Sequence, residues 1–121
     1  MSERRFSAAF SAHPEGPSAL GEVAGQLLED GAEGTDLLCV FVTPHYAGAL
    51  EDMAGALHTL IDPKVMVGCA AAAVIGDGRT VSDQPAITAW AGRVGPVHPL
   101  RLRVVRNDGA SAIEGWPLSL P

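Results

Sequence analysis

The chain carries two hydrophobic rhythms. Phe6, Ala8 and Phe10 fall on one face of an alternating run, the period of a strand. His13-Pro14-Glu15-Gly16-Pro17 then breaks the pattern as a loop. Ser18 is placed to cap a helix whose stripe is Leu20, Val23, Ala24, Leu27 and Leu28, and Gly31 suits the left-handed residue that ends it. Leu37 to Val42 is apolar on both faces, as a central strand covered on both sides would be. Thr43-Pro44 reads as an N-cap with proline at the first helical position. Tyr46, Ala49, Leu50, Met53, Ala54, Leu57, Leu60 and Ile61 continue a helical stripe that Asp62-Pro63 stops. Val65-Met66-Val67 follows as another short buried strand.

Strand, helix, strand, helix, strand is the order of a parallel sheet with right-handed crossovers, which puts both helices on one face if strand order follows chain order. After Gly68 the rhythm changes. Gly76-Asp77-Gly78 marks a turn, and Ala86–Ala91 and Leu100–Arg106 follow with no room for helices between them, as an antiparallel extension. In the last of these Leu100, Leu102 and Val104 alternate inward against Arg101 and Arg103. Trp90, in an alternating strand, is assigned to the core. From Asn107 the chain reads as irregular, with Ile113, Trp116, Leu118 and Leu120 as a sparse apolar tail. The expected fold is therefore α/β, a mixed β-sheet with a parallel βαβαβ start, antiparallel C-terminal strands and two main helices. The expected domain spans 1–106, with 107–121 as an irregular tail toward an absent second domain.

Composition narrows the function. One domain of 121 residues with 47% apolar residues folds without staples. A net charge of −6 with no basic cluster beyond Arg101, Arg103 and Arg106 argues against nucleic acid as a partner. No apolar run approaches the ~20 residues of a membrane span. Cys39 and Cys69 sit in apolar runs, the free-thiol usage of a reducing compartment, and the start lacks the apolar stretch of a secretory signal. These features predict a cytoplasmic protein.

Several stretches together resemble the FIST N-terminal domain family, found in intracellular signal-transduction proteins. They are Asp36–Val42 with Thr43-Pro44-His45, Val67-Gly68-Cys69, Ile75-Gly76-Asp77-Gly78 and Pro85–Trp90. The similarity runs over roughly Phe6 to Arg106. Ala70 to Ala73 depart from it, since relatives often carry glycine or small polar residues after the cysteine. The resemblance implies a sensory module that binds a small ligand, an amino acid among the candidates, and some members resemble haem-binding gas sensors. It also implies a second, C-terminal domain beyond the present chain.

Ligands of open α/β sheets bind beyond the carboxyl ends of the parallel strands. That rule gathers His13, the segment with His45 and Tyr46, and Gly68-Cys69-Ala70 at one rim, as a ligand-binding set without a catalytic residue. Other chemistries are open to the same residues. Cys69 with His45 as base would make a small cysteine-dependent enzyme, though alanine follows the thiol and nothing in the sequence orients the histidine. His13, His45 and Cys69 are metal-ligand types without metal-ligand spacing. His45 or His58 could serve haem, with no C-x-x-C-H motif in the chain. A partner-binding scaffold without a small ligand is the remaining class. Gly76-Asp77-Gly78-Arg79 lacks the lysine and hydroxyl of a phosphate loop and is read as a hairpin turn. The cofactor is left unknown. The doubly apolar strand implies a cover for the second sheet face, from the tail, the absent domain or a homo-oligomer.

Overall fold

The computed structural model describes residues 5–119. Its centre is a four-stranded sheet of β1 (Phe6–Ser11), β2 (Leu37–Val42), β3 (Val65–Ala70) and β6 (Ile87–Gly92), in the order β1-β6-β2-β3. Helices α1 (Gly16–Glu29) and α2 (Leu50–Ile61) cover one face. Two short hairpins complete the fold: β4 (Ala73–Gly76) with β5 (Arg79–Ser82), and β7 (Arg103–Asn107) with β8 (Ala110–Glu114). The fold is α/β with a mixed sheet and two main helices.

The first three strands run in one direction. β2 and β3 pair in parallel, and β6 runs antiparallel to both β1 and β2. Strand order therefore does not follow chain order, and the parallel start is interrupted. β6 is not an extension at the sheet margin but the strand between β1 and β2.

Register sorts the side chains. Ala9, Ala89, Ala91, Leu38, Val40, Val42 and Ile87 point into the helix layer, against Val23, Ala24, Leu27, Met53, Leu57 and Ile61. Small residues on the sheet let the helices approach closely, so the core is alanine-rich with aliphatic filling. Leu28 and Leu60, expected on the helical stripes, lie outside this contact and are exposed. The opposite sheet face carries Phe6, Ala8 and Phe10, then Thr88 and Trp90, then Leu37, Cys39 and Phe41, then Val67 and Cys69. Among the described residues only the β4–β5 hairpin lies over it, at Phe10, and the rest is open: Phe6 is 50% exposed, Phe41 38% and Val67 49%. The alternation of Phe6, Ala8 and Phe10 is real, but it marks the open face. β2 is accordingly covered on one side only, and β3 is an exposed edge strand rather than a buried one.

Local signals explain the ends of the elements. Gly31, at φ +78°, closes α1 in a Schellman motif, with Ala32 N–H on Leu27 O and Gly31 N–H on Leu28 O, both at 3.0 Å. Ser18 is not the cap. The helix begins at Gly16 with a proline in its first turn, and the Ser18 hydroxyl turns to Glu15. Nor does Thr43 cap a helix, because Pro44–Ala49 forms a 3-10 turn before α2 and the Thr43 hydroxyl is used elsewhere.

The C-terminal region differs most from expectation. Leu100, Leu102 and Val104 face solvent, and the strand at 103–107 pairs with 110–114 rather than with the sheet. Asp108-Gly109, both at positive φ, supply the two-residue turn that builds this hairpin. The boundary expected after Arg106 would cut it in half. An Arg103–Glu114 ion pair at 3.0 Å joins its strands. Trp116 and Leu118 are exposed, and Leu120 lies outside the described residues.

Candidate ligand site

The parallel strands end in one row. Ser11, Val42 and Ala70 align across the sheet, with Ile87 of β6 between the first two. The predicted rim therefore exists, but its middle is filled. Ala86 N–H donates to the Thr43 hydroxyl at 2.9 Å, and Thr43 N–H donates to Ala86 O at 3.1 Å. Thr43 is fully buried. Where a doubly wound sheet opens a crevice between diverging connections, this sheet admits β6.

The rim residues separate into those that meet and those that do not. Tyr46 Oη donates to His13 O at 2.7 Å, fastening the 3-10 turn to the loop after β1. Burial pushes the Tyr46 phenol above its usual range. The His13 ring accepts a 3.1 Å hydrogen bond from Glu15 N–H, a local turn contact. His45 is exposed on the 3-10 turn. Gly68 belongs to the row that faces the helix layer, and a Cβ there would collide with the Val40 carbonyl. Cys69 is exposed in the next row, on the opposite face, and Ala70 ends β3. The structure thus joins His13 to Tyr46 and does not bring His45 and Cys69 into a common hollow with them. A hollow of about 290 Å³ lies between Gly16, Pro17, Leu20, Ala49, Asp52 and Met53, none of them a predicted rim residue.

Among the described residues no group of three His, Cys, Asp or Glu side chains is arranged to hold a metal ion. Cys39 and Cys69 are both free. They are diagonal neighbours, since Cys39 faces Val67 and Cys69 faces Phe41. Such diagonals put Cα atoms about 8 Å apart, beyond disulfide reach. Partial burial raises the Cys39 thiol above its usual range.

A larger concavity lies on the open face, one the sequence did not anticipate. A groove of about 510 Å³ runs between β1, β6 and the tip of the β4–β5 hairpin, within the usual size range of ligand pockets. Its walls include Ala8, Phe10, Thr88, Trp90, Ile75, Gly76 and Asp77. Each wall has a local cause. Ala8 stands opposite Trp90 across the β1–β6 ladder and leaves the indole accessible. The Trp90 ring lies over Gly92, where a Cβ would strike it, and stacks on Phe6 at 5.7 Å. That explains how Trp90 is half-buried on a face covered only at Phe10 by the hairpin. Phe10 is held under the hairpin because Gly76 has no side chain to displace it. Val74, Val81 and Ala86 form a small separate cluster with Phe10 that anchors the hairpin. Asp77-Gly78, both at positive φ, make its two-residue turn, so the carboxylate sits at the groove's margin. The Arg79 guanidinium lies over the Phe10 ring, 5.1 Å from its centroid. The groove thus offers two aromatic surfaces, one hydroxyl, one carboxylate and the Gln26 amide, with the Arg79 guanidinium nearby over Phe10. The sequence held a signal for it in the Gly76-Asp77-Gly78-Arg79 turn, which reads as a hairpin but does not tell over which residue it folds.

No family model matches the chain. It is similar to an uncharacterized protein of Mycobacterium bovis, Mb0898c, and to an uncharacterized protein of Mycobacterium tuberculosis, MT0897. Each is 27% identical over 104 residues, which is 85% of this chain. The chain spans 27% of the length of these curated relatives. Among the described residues no helix is long and apolar enough to cross a membrane.

Proposed function

We propose that the chain is a sensory, ligand-binding module of the FIST N-terminal type, holding a small molecule without chemical change. One observation carries the proposal: the 510 Å³ groove beside Phe10 and Trp90, with Thr88, Asp77 and Arg79 at hand. Aromatic walls with a few polar groups suit a small organic ligand with an apolar body. A carboxylate and a guanidinium on one hairpin favour a molecule bearing both charges, and a free amino acid is the simplest of these. The exposure of Cys69 without an orienting base supports binding over thiol catalysis. Cytoplasmic residence and independence from nucleic acid belong to the same proposal, on the strength of the free thiols and the acidic balance.

Trp90 is the reporter. In a Trp116→Phe background, titration with the twenty amino acids is expected to shift or quench the remaining indole emission for a subset of them. The same subset is expected to raise the melting temperature, since a ligand held only by the folded form stabilises it. Flat emission and unchanged melting for every amino acid would defeat the amino-acid assignment. If free haem also left both signals unchanged, the uncovered sheet face around Phe41 and Val67 would favour the scaffold reading instead.

A further inference from the structure

The two edges of the sheet are finished differently. At β1 the Gln26 side chain accepts from Phe10 N–H and donates to Phe10 O, both at 2.9 Å. Ser7 Oγ donates to Asp30 at 2.6 Å, and Ser11 Oγ donates to Glu22. The outward backbone groups of Phe10 are thus satisfied, and two carboxylates line that edge. At β3 nothing comparable exists among the described residues. Val65 N–H and Ala71 N–H donate to Asp36 O and Val42 O of the β2 side, at 3.1 and 2.8 Å. Alternation along a strand then turns the N–H and C=O groups of Met66, Gly68 and Ala70 outward. Natural edges are blunted by charge, proline or a bulge. The run from Val65 to Gly76 has no charged residue and no proline.

We propose that β3 pairs antiparallel with β3 of a second copy, about a two-fold axis at Gly68, joining two sheets into one of eight strands. The occupant follows from charge and register. Two chains of net charge −6 repel, and an edge with no charged residue from Val65 to Gly76 lets them touch there without opposing like charges. With Gly68 facing Gly68, Met66 faces the partner's Ala70 and Ala70 faces the partner's Met66. Each facing pair exchanges two backbone hydrogen bonds, and every methionine is set against an alanine. Gly68 also leaves an apolar notch of about 190 Å³ lined by Val40, Leu50, Ala54, Met66 and Val67. The partner's Met66 lies diagonally across from Gly68 and can lean into it. The β1 edge does not offer the same pairing, since Gln26 takes up the outward groups of Phe10 and two carboxylates lie beside it, so growth stops at two copies in a closed isologous pair. A strand edge of six residues with one notch buries on the order of several hundred Å², so the pair is weak and needs high concentration. The groove at Trp90 lies at the other side of the sheet, so this inference stands whether or not the groove binds a ligand.

The test is sedimentation of the full chain from micromolar to millimolar concentration. A monomer–dimer equilibrium is expected, strengthened by salt as the net repulsion is screened. Ala70→Pro removes one outward N–H at an exposed position and is expected to weaken the dimer at least about tenfold. Circular dichroism checks that the variant keeps its fold. Register is read by Val67→Cys in a Cys39→Ser background, the latter needed because Val67 faces Cys39 within the chain. Residues 67 and 69 of opposite copies form non-hydrogen-bonded pairs with Cα atoms about 4.5 Å apart, within disulfide range. Oxidation is expected to give a covalent dimer joined between 67 and 69. A monomer at millimolar concentration, a dimer indifferent to Ala70→Pro in a folded chain, growth beyond two copies, or no cross-link would each overturn the proposal.

Discussion

Thr43→Val tests the closure of the rim most directly. The exchange keeps shape and removes the hydroxyl that accepts from Ala86 N–H at 2.9 Å. Thr43 and Ala86 are both fully buried, so no water replaces the lost acceptor. An orphaned buried amide costs about 1–3 kcal/mol. For a domain of this size that corresponds to a fall in melting temperature of about 4–12 °C. The urea midpoint should fall by about 0.5–1.5 M at unchanged slope. Thr43→Ser separates the hydroxyl from the methyl: it keeps the acceptor, loses one methyl group and should cost about 1 kcal/mol or less. Hydrogen exchange localises the effect, because the Ala86 amide should lose protection in the valine variant and keep it in the serine variant. If valine were as stable as serine at this position, β6 would not depend on the Thr43 hydroxyl to enter the sheet, and the account of the filled crevice would fail.

Three further outcomes follow from other contacts. Gly92→Ala places a methyl where the Trp90 ring lies, and should cost about 1–3 kcal/mol and red-shift the indole emission as the ring leaves Phe6. Asp36 accepts from Lys64 Nζ and from Gly95 N–H, both at 2.9 Å, and Lys64 first and Gly95 second hold its carboxyl below the ordinary range. Its stabilising contribution is therefore complete above the unfolded carboxylate pKa, about 3.9, and is lost as pH falls through the lower folded value; Asp36→Asn should remove that portion of the acid-side slope in a pH series of urea melts. A thiol-reactive dye should label Cys69 at least about tenfold faster than Cys39, because Cys69 is exposed while Cys39 is partly buried, which hinders access and raises its thiol; equal rates in the single-cysteine variants would contradict the burial assigned to Cys39.

Local chemistry was legible along most of the chain, and non-local pairing was not. Gly31 announces the end of α1, and the apolar stripe at Val23, Ala24 and Leu27 announces the face it buries. The common direction of β1, β2 and β3 follows from the strand–helix rhythm, so Ser11, Val42 and Ala70 share a rim as the pattern implies. The insertion of β6 rests on hydrogen bonds between residues 43 apart, Thr43 and Ala86, which no local period encodes. Alternation shows which residues share a face but not which face is covered. Phe6 and Trp90 were therefore assignable to one side of their strands and not to the open side. The second hairpin is a different case, since Asn107-Asp108-Gly109 carries the standard two-residue turn signal and the irregular reading passed over it. For the site, the sequence gathered His13, His45, Tyr46 and Gly68-Cys69-Ala70 at one rim, of which the structure joins only His13 and Tyr46, and it offered no means of seeing the groove, whose walls come from four separated segments.

The asymmetry of the sheet has one geometric source, in the flanks of the two helices. Along α1 and its C-cap, Glu22, Gln26 and Asp30 recur every four residues and meet Ser11, Phe10 and Ser7 of β1 in reverse order. Eight helical residues rise about 12 Å and four strand residues about 13 Å, so a polar helix flank can track a strand edge contact by contact. On α2 the corresponding flank begins with Leu50 and Ala54, four residues apart, which border the notch beside Met66 and Gly68. These side chains have no polar atom with which to satisfy a backbone group. The 3-10 turn at Pro44–Ala49 delays the helix, so its first polar turn residues, Glu51 and Asp52, fall away from that flank. One edge is thus engaged by side chains and the other left for a strand, and the difference is written in Glu22 and Gln26 of α1 with its C-cap Asp30 against Leu50 and Ala54 of α2.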